Sequence, residues 1–129
     1  MKTKLHHLAY SITPRNLELV IELFEEMGCI MSYRRGSERW CLIEQAKAPV
    51  KIQIIEATPF VISNKDKLNN HIGFLSDTPK EDIDILEKWA RDKGLNFKKG
   101  HWSEKEFWFD LPDVFNGFVI EIMHTSVTE

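Results

Sequence analysis

The sequence carries one pattern twice, in residues 6–14 (HHLAYSITP) and again in residues 70–79 (NHIGFLSDTP). Each copy has a histidine, an alternation of apolar and smaller residues, and then Thr-Pro, and the two histidines, His7 and His71, lie 64 positions apart. The similarity extends to the last apolar segment of each half, where Gln53 and Glu121 lie 68 positions apart. Internal repetition of this kind indicates a duplicated structural unit, and it constrains the fold more than any other feature.

Each copy predicts the order strand, helix, strand, strand, strand. An apolar stripe with helical spacing follows each Thr-Pro and stops at a glycine, Gly28 in the first half and Gly94 in the second. In the second half, Thr78 is predicted as the N-cap, Pro79 as the first helical residue and Glu81 as the acid that completes a capping box. Three strand-like segments then complete each half.

We therefore predict an α+β fold of two βαβββ modules, over residues 4–58 and 70–126, with a connector at 59–69. A half of this size cannot bury both faces of its own sheet, so we expect the two halves to pack as a single domain over residues 1–129. The expected architecture is a curved mixed β-sheet with the helices outside and a concave inner cavity.

Composition and charge narrow the classes of function. The 129 residues are 43% hydrophobic, and the net charge of −3 includes no basic stripe that would attract nucleic acid or anionic lipid. No apolar run reaches the roughly 18 residues of a spanning helix, and the N-terminus lacks the apolar core of a signal peptide, so we expect a cytoplasmic protein. Cys29 and Cys41 do not form a CxxC motif and are expected to be buried and unpaired.

Strand alternation brings four polar residues to one face of the predicted sheet. His7 and His71 stand on the less apolar face of the first strand of each half, and Gln53 and Glu121 each stand between two isoleucines in the last strand. Two imidazoles, one amide and one carboxylate suit a divalent ion such as Fe(II), Mn(II), Co(II), Ni(II) or Zn(II). With one anionic ligand the ion would keep a positive charge, and would polarise a carbonyl or stabilise an enediolate.

A structural role is the alternative for each of these four residues. A histidine in a strand often only completes a hydrogen bond, and a glutamate in a terminal strand often only faces water. A shift of the register by one residue would also exchange His7 for His6 on this face. His101 and His124 are expected in a loop or at a strand end.

The same alternation adds tryptophans and carboxylates to this face. The predicted seventh strand contributes Glu106, Trp108 and Asp110 to this face. In the third strand, Glu38 is the equivalent of Glu106 and Trp40 is the equivalent of Trp108. We expect Trp40, Trp108 and Asp110 to line the cavity; the alternative for the two tryptophans is a role as core filler.

Paired βαβββ units whose first strands begin with His and whose last strands carry Glu or Gln resemble the vicinal-oxygen-chelate superfamily. This group includes glyoxalase I, methylmalonyl-CoA epimerase, fosfomycin-resistance proteins, extradiol dioxygenases and bleomycin-binding proteins. The resemblance covers residues 4–124 and is carried by the segments HHLAYSI, KIQIIEA, NNHIGFLSD and GFVIEIM. It implies that the metal ligands are His7, Gln53, His71 and Glu121.

Two details are most similar to the methylmalonyl-CoA epimerase branch: the ligand order His, Gln, His, Glu and the long turn PDVFNGFVIE before the last strand. That branch removes the proton alpha to a thioester carbonyl while a metal holds the enolate. A carboxylate proposed there for proton transfer aligns with Trp40 in this chain. Glu38, Glu106 and Asp110 are candidate replacements because their alternation aims them at the cavity, and Glu121 is a candidate while bound to metal.

These observations support two main hypotheses. The first is a metal-dependent enzyme that transfers a proton on a small oxygen-rich substrate, as an epimerase, isomerase or lyase similar to the glyoxalases. The alternative is a protein of the same fold that binds a small molecule or drug without turnover. Glutathione transfer to fosfomycin is disfavoured because Gln53 adds a ligand that those proteins do not use, and the short chain disfavours an extradiol dioxygenase. The resemblance also allows a homodimer.

Overall fold

The structure is a computed structural model, and it describes residues 1–128. Its elements follow one another along the chain as β1 (His7–Ile12), α1 (Leu17–Glu26), β2 (Ile30–Arg34), β3 (Trp40–Glu44), β4 (Lys51–Glu56), α2 (Asn64–Leu68), β5 (His71–Ser76), α3 (Pro79–Asp92), β6 (Lys98–Ser103), β7 (Glu106–Asp110) and β8 (Val119–His124). A 3₁₀ turn follows at Thr125–Thr128.

The eight strands form two four-stranded mixed sheets, in the orders β1-β4-β3-β2 and β5-β8-β7-β6. The parallel neighbours are β1 with β4 and β5 with β8, and the remaining neighbours are antiparallel. The predicted α+β class with two βαβββ modules is therefore confirmed. The chain divides into two compact units, Met1–Pro59 and Phe60–Glu129, here called module one and module two. The predicted connector contains α2, and all of it except Pro59 belongs to module two.

The parallel strand pairs have the same register in both modules. Ala9 of β1 lies opposite Gln53 of β4, and Gly73 of β5 lies opposite Glu121 of β8. Each histidine stands two residues before its small residue, and residues two apart on a strand share a face. The prediction that His7 shares a face with Gln53, and His71 with Glu121, is confirmed within each module.

In module one, α1 covers the other face of the sheet. Leu17, Val20, Leu23 and Phe24 of the helix are buried, as are Cys41, Ile43 and Ile54 of the strands. Cys29 and Cys41 are both buried and unpaired, as predicted.

An ion-pair clamp fastens α1 to the sheet. Arg39 makes two hydrogen bonds to Glu18 of α1 and two to Glu56 of β4. Glu56 Oε2 also accepts a hydrogen bond from the Leu17 backbone N–H at 2.9 Å, so its carboxylate fills the role of a helix cap. These contacts lower the pKa of Glu18 and of Glu56 to about 2, chiefly through the hydrogen bonds from Arg39.

In module two, α3 covers the corresponding face, where Phe109 and Ile120 are fully buried. The helix begins at Pro79 after the N-cap Thr78, as predicted, but the capping box with Glu81 is wrong. The Thr78 hydroxyl lies 3.3 Å from an oxygen of Asp82, a carboxylate that also accepts a hydrogen bond from Ser76. The Thr78 hydroxyl, which the capping box requires, is therefore engaged by Asp82. Within residues 1–128, no helix is long and apolar enough to span a membrane.

Candidate metal centre and adjoining cavity

His71 and Glu121 form an oriented pair on module two. His71 Nε2 lies 3.7 Å from Glu121 Oε1, and His71 Nδ1 lies 3.0 Å from the backbone oxygen of Leu68. Because a carbonyl oxygen only accepts, Nδ1 carries the proton, and the Nε2 lone pair of the neutral ring then faces Glu121. A hydrogen bond from one ring nitrogen to a carbonyl is how proteins orient a metal-binding imidazole.

The separation of these two atoms is suitable for a shared cation. It is too long for a hydrogen bond between them. Two ligand atoms about 2.1 Å from one ion at a tetrahedral angle are about 3.4 Å apart, which is close to the 3.7 Å from His71 Nε2 to Glu121 Oε1. An imidazole and a carboxylate are also ligands that Zn(II), Mn(II), Fe(II), Co(II) and Ni(II) accept. The pair therefore fits part of a divalent metal site.

Glu121 is a buried acid, with 8% of its surface exposed. Burial raises the pKa of its carboxyl, a charged His71 would lower that pKa, and the neighbouring Glu106 raises it further. The strand beside it makes room, since a Cβ atom on Gly73 would lie 3.2 Å from Glu121 Oε1. A cation at Oε1 would compensate the desolvated charge that these surroundings disfavour.

Two tryptophans stand beside the pair. The Trp102 ring lies 5.1 Å from the His71 ring and 6.5 Å from that of Trp108, whose Cα is opposite Glu121. A Cβ on Gly100 would lie 2.5 Å from the Trp108 ring, so the indole occupies space that only glycine leaves open. Trp102 is not among the residues predicted from the sequence, although its position two residues after Gly100 in β6 indicates the same face.

A cavity of about 120 Å³ adjoins the pair of His71 and Glu121 in module two. Its lining consists of Asn64, Lys67, Leu68, Lys98, Trp108, Asp110 and Val119. Trp108 and Asp110 were expected to line a cavity, and both line this one. The sequence does not single out Lys67, because a connector lysine carries no periodic signal of its own.

A buried ion pair closes one side of this cavity. Lys67 Nζ lies 2.9 Å from Asp110 Oδ2, and their side chains are 12% and 9% exposed. Asp110 Oδ1 is buried and has no hydrogen-bond partner within residues 1–128. Burial raises the pKa of Asp110, although the positive charges of Lys67 and Lys98 act to lower it.

Module one surrounds its own pair differently. His7 is exposed, and its Nδ1 lies 3.0 Å from Nδ1 of His6, while Gln53 is half-buried with its Cα opposite Leu42. No hydrogen bond joins His7 to Gln53 in the part of the chain that the structure describes. Half-buried Trp40 is in contact with Tyr33, at 5.7 Å between ring centroids.

The candidate proton-transfer groups also separate. Glu106 begins β7, is half-buried and lies close enough to Glu121 to raise its pKa. The prediction that Glu38 continues the alternation of the third strand is wrong, because β3 begins only at Trp40. Glu38 lies in the preceding loop, where its carboxylate is 3.7 Å from Arg35 Nε.

The histidines outside the predicted set fall as follows. The prediction that His101 lies in a loop or at a strand end is wrong, because it lies within β6, where its ring is 6.2 Å from that of Phe107. His124 ends β8, as predicted, with Nδ1 2.7 Å from the Ser126 hydroxyl. Within residues 1–128, no group of three or more His, Cys, Asp or Glu side chains is arranged to hold an ion. The imidazole and carboxylate described above belong to module two, and the other two predicted ligands belong to module one.

No protein-family model matches the sequence, and no curated protein matches it. Solved structures do match the fold. Fosfomycin resistance protein FosX from Mesorhizobium loti is 18% identical, with a TM-score of 0.61 over 99% of this chain and 97% of that one. TnmS3, an antibiotic binding protein from Streptomyces sp. CB03234, is 13% identical, with a TM-score of 0.54 over 95% of this chain and 96% of that one.

A third structure contains bound ligands. It is a mutant of the genomically encoded FosX from Listeria monocytogenes, complexed with Mn(II) and 1S,2S-dihydroxypropylphosphonic acid. It is 17% identical to this chain, with a TM-score of 0.61 over 95% of this chain and 93% of that one. Fosfomycin-resistance proteins are among those that the sequence resemblance groups together, so these matches confirm the fold that the resemblance implies.

Proposed function

We propose that this chain, which has the vicinal-oxygen-chelate fold, is a metal-dependent enzyme that transfers a proton on a small oxygen-rich substrate. The observation that carries the proposal is the pair of His71 Nε2 and Glu121 Oε1 at 3.7 Å, with the imidazole oriented by Leu68. The sequence resemblance suggests an epimerase, isomerase or lyase, with the ligand order of methylmalonyl-CoA epimerases.

In this proposal His71 and Glu121 bind a divalent ion, and His7 and Gln53 are further ligands, as the repeat predicts. When bound, the ion would polarise a substrate carbonyl and so lower the pKa of the adjacent carbon acid. The proposal leaves the choice among Co, Ni, Zn, Mn and Fe open. The Mn(II) complex of a FosX mutant supports divalent metal use by proteins of this fold.

Glu121 and Glu106 are the proposed proton-transfer groups. Glu121 is buried, and burial raises the pKa of its carboxyl, which favours proton uptake, whereas a bound ion would act in the opposite direction. Glu106 is half-buried, close to Glu121, and suited to pass the proton to solvent. Asp110 and Glu38 suit the role less, because Lys67 and Arg35 engage their carboxylates.

Deuterium exchange tests the proposed chemistry without knowledge of the final product. The metal-loaded protein is incubated in D₂O with a panel of thioesters and 2-hydroxyketones, and NMR follows the loss of the proton alpha to the carbonyl. We expect exchange with at least one member of the panel, and its loss after chelation or in Glu121→Gln and Glu106→Gln. His101→Ala is the control, because that ring contacts Phe107. Exchange that persists in Glu121→Gln would contradict the assignment.

The alternative, binding without turnover, has one specific observation in its favour. Trp102 is 42% exposed and stands 6.5 Å from Trp108, so the site offers an aromatic surface to a planar ligand. TnmS3, a structure with this fold, is an antibiotic binding protein. Tight binding of an aromatic compound by metal-free protein, with no deuterium exchange on the panel, would favour this alternative. A homodimer stays a prediction, which light scattering of the purified protein tests.

A further inference from the structure

We propose that the cavity beside His71 and Glu121 is a subsite for a terminal oxyanion of the substrate, a carboxylate or a phosphoryl group. The identification of the occupant as one end of the substrate rests on the proposed function. The binding of an oxyanion by this cavity rests on its own size, position and charge.

The position of the cavity ties it to the metal pair. Three of its lining residues are direct neighbours of that pair. The backbone oxygen of Leu68 accepts the hydrogen bond from His71, the Cα of Val119 lies opposite that of His71, and the Cα of Trp108 lies opposite that of Glu121. A molecule held at His71 and Glu121 would therefore have this cavity within reach of its end.

The size of the cavity restricts it to one group. Pockets for whole drug-sized ligands measure roughly 300–1,000 Å³, whereas this cavity measures about 120 Å³. A water molecule takes about 30 Å³ of liquid volume, so the space corresponds to a few waters or to one carboxylate or phosphoryl group. The rest of a substrate would lie outside it.

The charges that line the cavity favour an anion. Lys67 and Asp110 neutralise each other at 2.9 Å, and the pair is nearly buried. Lys98, whose Cα lies opposite that of Asp110, has no ion-pair partner within residues 1–128. Among the residues that line the cavity one ammonium group is therefore in excess, and an entering oxyanion would accept a charge-assisted hydrogen bond from it.

Asp110 adds a second polar requirement. Its Oδ1 atom is buried and no described group donates to it, whereas nearly all buried polar atoms in folded proteins have a partner. An oxyanion that enters with a hydroxyl group or an attached water supplies that donor. The walls between these polar groups are apolar, from Leu68, Val119 and the ring of Trp108.

The test uses the full chain, with acetate and methylphosphonate as separate probes and methylammonium as the opposite charge. Trp108 lines the cavity, so its indole N–H signal in ¹⁵N NMR reports occupancy. The four indole signals are assigned by replacing the tryptophans one at a time with phenylalanine. Comparison of acetate with methylphosphonate tells which class of oxyanion the cavity prefers.

Two adjacent lysines give a matched pair of variants. Lys98→Met removes the unpaired ammonium group, whereas Lys99→Met removes one that lies 2.7 Å from Glu87 of α3, away from the cavity lining. Both lysines are exposed, so neither variant is expected to unfold the protein. We expect saturable shifts of the Trp108 signal with an oxyanion, weakened about tenfold or more in Lys98→Met and unchanged in Lys99→Met.

Equal weakening in the two variants, no saturable shift with either oxyanion, or preferential binding of methylammonium would overturn the subsite. Metal affinity is measured in parallel on the same samples and is expected to be unchanged in Lys98→Met. A protein that binds metal but no oxyanion contradicts this inference alone. A protein that binds an oxyanion in the cavity but no metal supports the subsite and contradicts the proposed enzymatic function.

Discussion

The two modules have the same strand register, and yet they surround equivalent residues differently. In module two both faces of β8 are covered, since Ile120 is 0% exposed on one face and Glu121 is 8% exposed on the other. In module one the equivalent Gln53 is only half-buried, and its neighbour Ile55 is 37% exposed. Duplication therefore reproduces the strand position and the face of each side chain, but not its burial.

The segment before each first strand explains much of this difference. In module two the helix α2 ends next to β5, and its last residue, Leu68, supplies the carbonyl that orients His71. In module one residues 1–6 form no helix or strand, and the neighbour of the His7 ring is another exposed histidine, His6. A connector outside the repeat therefore orients the histidine at one of two equivalent positions.

The largest expected effect concerns the ion pairs that distinguish the modules. Lys67→Met leaves Asp110 buried without its partner, and such a loss costs about 3–5 kcal/mol of the free energy of unfolding. The module-one control is Lys51→Met, which removes a pair to Glu44 whose side chains are 33% and 36% exposed, and it should cost at most about 1 kcal/mol. Urea unfolding curves measure both. Equal losses of stability in the two variants would contradict the prediction that burial makes the Lys67–Asp110 pair the more costly one to break.

The next prediction concerns the packing of Trp108 in module two. Gly100→Ala places a Cβ 2.5 Å from the Trp108 ring, so the indole must move, and overpacking of this kind costs about 1–3 kcal/mol. Thermal unfolding measures the loss, and the Trp108 indole signal should shift. The control is Gly36→Ala, where no atom lies within 4 Å and only the positive backbone angle opposes the change. An unchanged Trp108 signal in Gly100→Ala would contradict the tight contact.

The smallest expected effect is a difference in acid sensitivity between the modules. The pKa of Glu56 is lowered from 4.5 to about 2, so its contribution is complete above pH 4.5 and is lost as the pH falls toward 2. Burial raises the pKa of Asp110 and Glu121. Protonation of these two carboxyls on acidification removes buried negative charge and therefore favours the folded state of module two. Amide hydrogen exchange in this pH range should therefore open module one before module two. Arg39→Met, which removes the clamp on Glu56, should reduce that pH dependence; earlier opening of module two would contradict the account.

The repeat made most of the architecture predictable. Alternation with a period of two is a local property, and the duplication supplies two independent readings of it, so the sequence of elements along the chain and the faces of Gln53 and Glu121 could be predicted. The helix start at Pro79 and the burial of the two cysteines also follow from residue type and neighbours. What the repeat predicts well is thus the backbone and the direction of each side chain.

The partners of those side chains were less predictable, because they lie far apart in sequence. Lys67 meets Asp110 across 43 residues, and the pair belongs to a connector that has no counterpart in module one. Two local predictions were wrong for different reasons. Asp82 engages the Thr78 hydroxyl in place of the capping box, and β3 begins only at Trp40, so Glu38 lies in the preceding loop. The contact between Trp102 and His71 likewise joins the two edge strands of the sheet, β6 and β5, and no local pattern brings these strands together.

The central claim is that the oriented imidazole and the buried carboxylate of module two bind a divalent ion. Calorimetric titration with Mn(II) or Zn(II) tests it most directly, on the unmodified chain and on Glu121→Ala, Gln53→Ala and His101→Ala. We predict that the unmodified chain binds one ion per chain. Its affinity should fall more than about 100-fold in Glu121→Ala, since removal of a ligand should exceed the effect of removing its supporting partner. The loss should be smaller in Gln53→Ala, because an amide carries no charge, and His101→Ala should leave the affinity unchanged. An affinity in Glu121→Ala equal to that of the unmodified chain, or no ion bound at all, would contradict the claim.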